Sequence, residues 1–135
     1  MTDKLHVEIV TPYELFYEGE VDSIILPALD GEIGIMPGHS PIVIALNPGE
    51  LRLSNDNETV YASVADGFAQ IEIDNVIIVV GSAELPEQID LNRAEEALDR
   101  AVKRLADPAT TARERIRSGR GILRAKARIK VHSKK

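Results

Sequence analysis

The hydrophobic period of this chain changes once, at Pro86, and that change constrains the fold more than any other feature. Before Pro86 apolar residues recur at every second position. Leu5, Val7 and Ile9 alternate with His6 and Glu8, Val60, Ala62 and Val64 with Tyr61 and Ser63, and Ile71 and Ile73 with Glu72 and Asp74. Period two sets one face of a sheet on a core and the other in water. The continuous runs Ile24-Ile25-Leu26 and Ile77 to Val80 predict deeper strands. Turn signals punctuate the same region, at Thr11-Pro12, Glu18-Gly19, Asp30-Gly31, Pro37-Gly38, Asn47-Pro48-Gly49, Asn55-Asp56-Asn57, Asp66-Gly67 and Asp74-Asn75. Short strands broken about every 8–12 residues predict an antiparallel sandwich or barrel, here of roughly nine or ten strands.

After Pro86 the period becomes helical. Leu91, Ala94, Leu98, Ala101 and Leu105 are spaced 3, 4, 3, 4, one stripe of an amphipathic helix. Asp90 or Asn92 suits its N-cap, and Asn92 with Glu95 has capping-box spacing. Asp107-Pro108 ends it, because proline disfavours helix in the residue before it. Thr111 with Glu114 is a second capping box, opening a stripe of Ala112, Ile116, Gly119, Leu123 and Ala127. Helices joined by so short a connection lie antiparallel. Gly119 and Gly121 stand inside the second one, each costing roughly 1 kcal/mol against alanine, so packing must supply most of its stability. A kink there, or a helix ordered only in some settings, both fit. The expected organisation is a β-sandwich over residues 1–86 and an α-helical hairpin over 87–135.

Charge follows the same division. The net charge of −6 combines 17 acidic and two basic residues in 1–90 with five acidic and 14 basic residues in 91–135. The excess lies after Pro108, where ten basic residues face only Glu114. Such asymmetry points to an interaction surface or to a solvated basic face. Arg113, Arg117, Arg120, Arg124 and Arg128, spaced 4, 3, 4, 4, form a guanidinium row on the second helix.

Catalytic chemistry finds little footing. No HExxH, GxSxG, CxxC or GxxxxGK[ST] occurs, and His6, His39 and His132 stand in unrelated contexts. With no cysteine, disulfides and thiolate metal sites are excluded, and neither a catalytic centre nor a metal site is expected. The start, MTDKLHVEIV, has no signal-peptide pattern. The longest apolar run, Val76 to Val80, falls far short of the roughly 20 residues of a membrane helix. The expected chain is soluble, meeting a membrane only through partners.

Two stretches stand out. DGEIGIMPGHSPIVIALNPGEL, residues 30–51, sets Glu32 and His39 among four glycines and three prolines. It reads as two tight sandwich turns or as an exposed contact loop. ELPEQIDLNRAEEALDRA, residues 84–101, places Arg93 and Arg100 two turns apart behind Asp90. It reads as ordinary capping and surface ion pairing, or as one wall of a pocket whose arginines grip an anion.

In this order, on a sandwich-then-hairpin chain, the two stretches resemble the epsilon subunit of bacterial F-type ATP synthase along the whole length. GEIGIMPGHSPIV is similar to that family's GELGILPGHAPL signature, and IDLNRA, Ile89 to Ala94, to the I/L-D-x-x-R-A motif through which some members bind ATP. The resemblance implies a ten-stranded antiparallel β-sandwich followed by two helices, in a non-catalytic central-stalk subunit of the proton-translocating complex on the cytoplasmic face of the bacterial membrane. It implies contact with the gamma subunit and the c-subunit ring through the Glu32 and His39 loop. It also implies restraint of ATP hydrolysis, as Arg113, Arg117, Arg120 and Arg124 of extended helices meet acidic residues of the catalytic alpha/beta assembly at beta. ATP enters as a possible regulatory ligand, not a required cofactor, with Glu84, Ile89, Asp90, Arg93, Ala94, Arg100, Arg124 and Arg128 as the implied contacts. The second helix departs from the alanine-rich family pattern at Ser118-Gly119-Arg120-Gly121. The rival reading is a nucleic-acid-binding protein with the basic tail on phosphates, against which stand the acidic sandwich and the absence of tryptophan. A β-sandwich hydrolase or lyase using His39 is the third.

Overall fold

The computed structural model describes residues 4–135. Ten strands come first: β1 (Leu5–Val10), β2 (Leu15–Val21), β3 (Ser23–Ala28), β4 (Gly31–Ile35), β5 (Ile42–Leu46), β6 (Gly49–Asn55), β7 (Glu58–Val64), β8 (Gly67–Ile71), β9 (Asn75–Val80) and β10 (Ala83–Glu84). A 3-10 turn at Pro86–Gln88 leads into α1 (Leu91–Ala106) and α2 (Ala112–His132).

The hydrogen-bonded path runs β10-β7-β6-β3-β5-β8-β9-β1-β2, with β4 on β3. The expected purely antiparallel pairing needs one correction. β1 runs parallel to β9, from His6 opposite Asn75 to Val10 opposite Val79. Alternation reports which face is buried and is blind to strand direction. No hairpin joins these two strands, so no turn imposes the antiparallel sense on them.

Strand β3 turns the corner between the two halves. Its first residues pair with β6, ending at Ile25 opposite Arg52, and Ala28 pairs with Leu46 of β5. Pro27, which has no N–H to donate, stands where the β6 ladder stops. A Cβ on Gly49 would lie 2.6 Å from that of Pro27, so only glycine permits this approach. Gly67 is tighter still, since a Cβ there would fall 2.0 Å from the Val79 carbonyl oxygen. The alternating residues from both halves meet in one core, with Leu5, Ile9, Ile24, Leu26, Leu51, Leu53 and Ile78 fully buried or nearly so.

Of the two N-cap candidates for α1, Asp90 takes the place, and Asn92 lies inside the helix rather than opening a capping box with Glu95. Asp90 accepts a hydrogen bond from the Arg93 N–H and caps α1, while Thr111 accepts from the Glu114 N–H and caps α2. Arg115 donates to the carbonyls of Leu105 and Asp107, satisfying the end of α1. The α1 stripe faces inward as expected. The α2 stripe does so only in part: its Ala127 is buried, but Ile116 and Leu123 are exposed, and Ser118, Ala125 and Val131, off the stripe, are buried instead. The buried face is chosen by what α2 packs on, and small residues fit close to both α1 and a sheet, whereas the larger apolar ones do not. Gly121 faces Ala101 across the hairpin, and α2 remains helical through both glycines.

Candidate functional site: the cleft between hairpin and sandwich

The second helix lies over the outer face of β6, β7 and β10. Glu50, Ser63 and Glu84 are register partners in turn and form one polar rung on that face. The basic end of α2 is seated on it. Arg128 Nε approaches Glu84 Oε1 at 2.7 Å and its Nη2 approaches Oε2 at 3.3 Å, a two-pronged pair with both side chains about a quarter exposed (25% and 30%). Glu50, whose side chain is 2% exposed, accepts from Arg52 at 3.1 Å and has Lys130 Nζ at 3.5 Å from the same oxygen. Its other oxygen has no hydrogen-bond partner. A buried carboxylate depends on compensating charge, so Glu50 ties β6 to α2. Further along, Arg120 stands 3.5 Å from Asp66, and the Lys134 ammonium sits 5.3 Å above the Tyr61 ring.

Between hairpin and sandwich lies a cavity of about 440 Å³, lined by Ser82, Glu84, Ala97, Gly121, Arg124, Ala125 and Arg128. Two guanidinium groups from α2 and one carboxylate from β10 meet there. Arg93 and Arg100 are not in its wall. They straddle Ala97, which is, four residues after one and three before the other, so both lie on its flank of α1. The Arg93 side chain is 82% exposed, with its Nε 3.8 Å from Asp90. Asp90 spends one oxygen on the helix cap, and Ile89 and Ala94 are buried in the packing beneath the helix start.

A second groove of about 400 Å³ runs along α2 between Arg113, Ile116, Arg117, Arg120 and Arg124. Four cations line it. Arg113, Arg117 and Arg124 make no ion pair within 4.0 Å among the described residues, and Ile116 supplies exposed apolar surface in their midst.

Glu32 and His39 occupy a different end of the molecule. Glu32, on β4, receives the Arg52 guanidinium at 3.0 Å. His39 follows β4 in a turn, its Nδ1 2.7 Å from the Ser40 carbonyl oxygen. The Gly38 N–H donates to the Ile73 carbonyl, which clasps this turn to the β8–β9 turn. Gly38 has φ +89°, a conformation that side chains rarely adopt. Met36, Ile42 and Ile73 project into solvent around it, an apolar tip beside polar ligands.

Residues 4–86 match the family described as ATP synthase, Delta/Epsilon chain, beta-sandwich domain, and residues 87–133 match ATP synthase, Delta/Epsilon chain, long alpha-helix domain. The chain belongs to the ATP synthase delta/epsilon family. The boundary between the two matches falls where the hydrophobic period changes. The ATP synthase epsilon chain of Ruminiclostridium cellulolyticum is 37% identical over 129 residues, covering 96% of each chain. That of Halalkalibacterium halodurans is 43% identical over 101 residues, 75% of this chain and 76% of the relative. Among solved structures, the Euglena gracilis mitochondrial ATP synthase (OSCP/F1/c-ring) contains a chain of the same fold. It aligns at TM-score 0.82 and 22% identity, over 94% of this chain and 80% of that one.

Sequence reasoning missed the seat of α2. Glu50, Lys130, Asp66 and the Lys134–Tyr61 contact carry no motif. One signal was present for Glu50: a lone acidic residue in GELRL, in a strand whose neighbours are glycine and leucine.

Proposed function

We propose that this chain is the epsilon-type subunit of an ATP synthase central stalk, non-catalytic itself, peripheral at the membrane and held there by its complex. The observation that carries the reading is the division of the chain into an aliphatic sandwich and a charge-docked hairpin, matching both halves of the family. No helix among the described residues is long and apolar enough to cross a membrane, so attachment through partners fits. The apolar tip around Met36, Ile73 and His39, with Glu32 beside it, is the surface proposed to meet the gamma subunit and the c ring on the cytoplasmic side. A chain ended after Pro86 is expected to assemble into the complex and support coupled ATP synthesis. A folded truncation that fails to assemble would overturn this assignment.

The hairpin is proposed to restrain ATP hydrolysis. Arg113, Arg117 and Arg124, with Arg120 beside them, would meet carboxylates of the beta subunit when the helices leave the sandwich. Guanidinium–carboxylate pairs are directional and strong once desolvated. Replacing all four by alanine should raise hydrolysis by the assembled enzyme and leave synthesis less affected. Unchanged hydrolysis with the subunit retained would refute the role.

ATP is proposed as the ligand that favours the docked hairpin. Arg124 and Arg128 in the cavity wall, with Arg93 and Arg100 on its flank, supply the positive charge that phosphates need. Glu84 competes for Arg128, so phosphate binding there would loosen the pair it replaces. Asp90 and Glu84 offer acceptors, and Ile89 with Ala94, buried outside the cavity wall, would flank the adenine. A ligand shifts such an equilibrium only by its differential affinity for the two states. At 100 times its dissociation constant that shift is about 2.7 kcal/mol, against roughly 2 kcal/mol for two helix glycines. Calorimetric titration of the wild type, Asp90→Ala and Arg93→Ala should show one ATP bound and weaker binding in both variants. No binding at millimolar ATP, or equal binding in all three, would remove the site.

A further inference from the structure

We propose that the outer face of the β1–β2 hairpin is a zinc-type transition-metal site built by His6, Glu8 and Glu18, with Glu20 orienting the histidine. The four residues occupy two successive rungs of one antiparallel ladder, His6 opposite Glu20 and Glu8 opposite Glu18. Alternation puts all four on the face away from the core. Two glutamates placed directly opposite each other repel, an arrangement that costs stability unless a cation lies between them. Among the described residues, every ion pair of these three carboxylates within 4.0 Å leads to His6 and none to a lysine or arginine. The nearby Lys4 is engaged elsewhere, by Asp22 and Asp56.

The geometry suits a small ion. The ligand atoms offered by His6, Glu8 and Glu18 all lie within 4.8 Å of one another. His6 Nε2 is 3.0 Å from Glu18 Oε2 and 3.7 Å from Glu8 Oε1. Zinc bonds of about 2.0–2.2 Å to nitrogen and oxygen span tetrahedral edges of roughly 3.3–3.6 Å, so these separations close on a metal with small side-chain movements. The other ring nitrogen, Nδ1, points to Glu20 Oε1 at 3.5 Å. A carboxylate on the second nitrogen of a metal-binding imidazole selects the tautomer and raises the basicity of the first. Three protein ligands leave the fourth position to water, which fits side chains that are a third to a half exposed. Imidazole with carboxylates favours zinc-class ions over magnesium or calcium, which prefer oxygen alone. No linear motif announces this site, because its ligands come from two strands across a turn. The sequence reading expects no metal for that reason.

The test is zinc titration of the full chain by calorimetry, with cobalt as a spectroscopic stand-in. One equivalent of Zn²⁺ should bind, and Co²⁺ should give the intense visible bands of a tetrahedral site. His6→Gln and Glu18→Gln should each abolish that step. Glu20→Gln, touching only the far ring nitrogen, should weaken it about 10-fold. His39→Gln and His132→Gln should leave it unchanged. Absence of a one-equivalent step overturns the proposal, as does a step that survives His6→Gln or Glu18→Gln, or equal binding of Mg²⁺. Glu18 is exposed, so its variant reports on binding even if His6→Gln perturbs folding.

Discussion

The two halves of this chain are held by different forces. The sandwich is sealed by branched and long aliphatic side chains, Leu5, Ile24, Leu26 and Leu51 among them at 0% exposure. The hairpin buries almost nothing large against it. Its buried residues are Ala94, Ala101, Ser118, Ala125, Ala127 and Val131, and its grip comes from Arg128 on Glu84, Lys130 on Glu50 and Arg120 on Asp66. Apolar burial is non-directional and hard to exchange, whereas ion pairs at a half-wet seam can be replaced by a ligand or a partner of like chemistry. One part of the molecule therefore rests on apolar burial and the other on exchangeable charge.

The largest effect should come from the core. Leu51→Ala removes a fully buried side chain and should cost about 2–5 kcal/mol, read as a lower urea midpoint for sandwich and helices together. If the helices kept their own transition unchanged, their dependence on the sandwich would be disproved. The next largest effect lies at the seam. Arg128→Ala should weaken docking by about 1–2 kcal/mol, after allowance for partial exposure, and lower hydrogen-exchange protection in α2 while the strands keep theirs. Equal loss of protection in β6 and β8 would break the contrast.

A smaller effect with the opposite sign is expected within α2. A Cβ on Gly119 meets nothing within 4 Å, so Gly119→Ala should stabilise the helix by about 0.5–1 kcal/mol. Added helicity by circular dichroism, with no shift in the sandwich transition, would sharpen the comparison, and destabilisation would reveal a packing role for that glycine. The smallest effect belongs to the surface of the sandwich. A hydrogen bond from Lys4 holds the Asp22 carboxyl below the usual carboxylate range, helped by the Asp56 N–H. Its folded value lies below its unfolded one, so its stabilisation is present above the ordinary carboxylate pKa of about 4 and is lost as pH falls through the folded value. Asp22→Asn should flatten the acid limb of thermal unfolding only slightly. An unchanged acid limb would remove Asp22 from the account.

The period switch at Pro86, the strand alternation and both helix caps could be read directly from residue order, because each depends on neighbours within a few positions. The order of strands before helices followed from them, whereas the family was legible only in the resemblance of GEIGIMPGHSPIV and IDLNRA to its signatures. Asp90, one of two candidates, and Thr111 serve as the N-caps, while the α2 stripe is turned outward at Ile116 and Leu123 and inward only at Ala127. A helix with apolar residues on more than one flank has no local rule for choosing between them. The sheet surface beneath it made the choice, by admitting Ala125 and Val131 and leaving Ile116 in solvent.

The same division governs the site. Arg93, Arg100, Arg124 and Arg128 were visible as helical spacing, but which of them enter the cavity wall was not, and only Arg124 and Arg128 do. Residue order determined where this chain is aliphatic, where it is basic and where its elements begin, since those are properties of short windows. Tertiary structure alone decided the parallel pairing of β1 with β9, the seating of Lys130 on Glu50, and the meeting of His6 with Glu18. The first two join residues whose proximity exists only after the sheet and hairpin have packed, and the third depends on the register of the β1–β2 hairpin, which no single window of residues encodes.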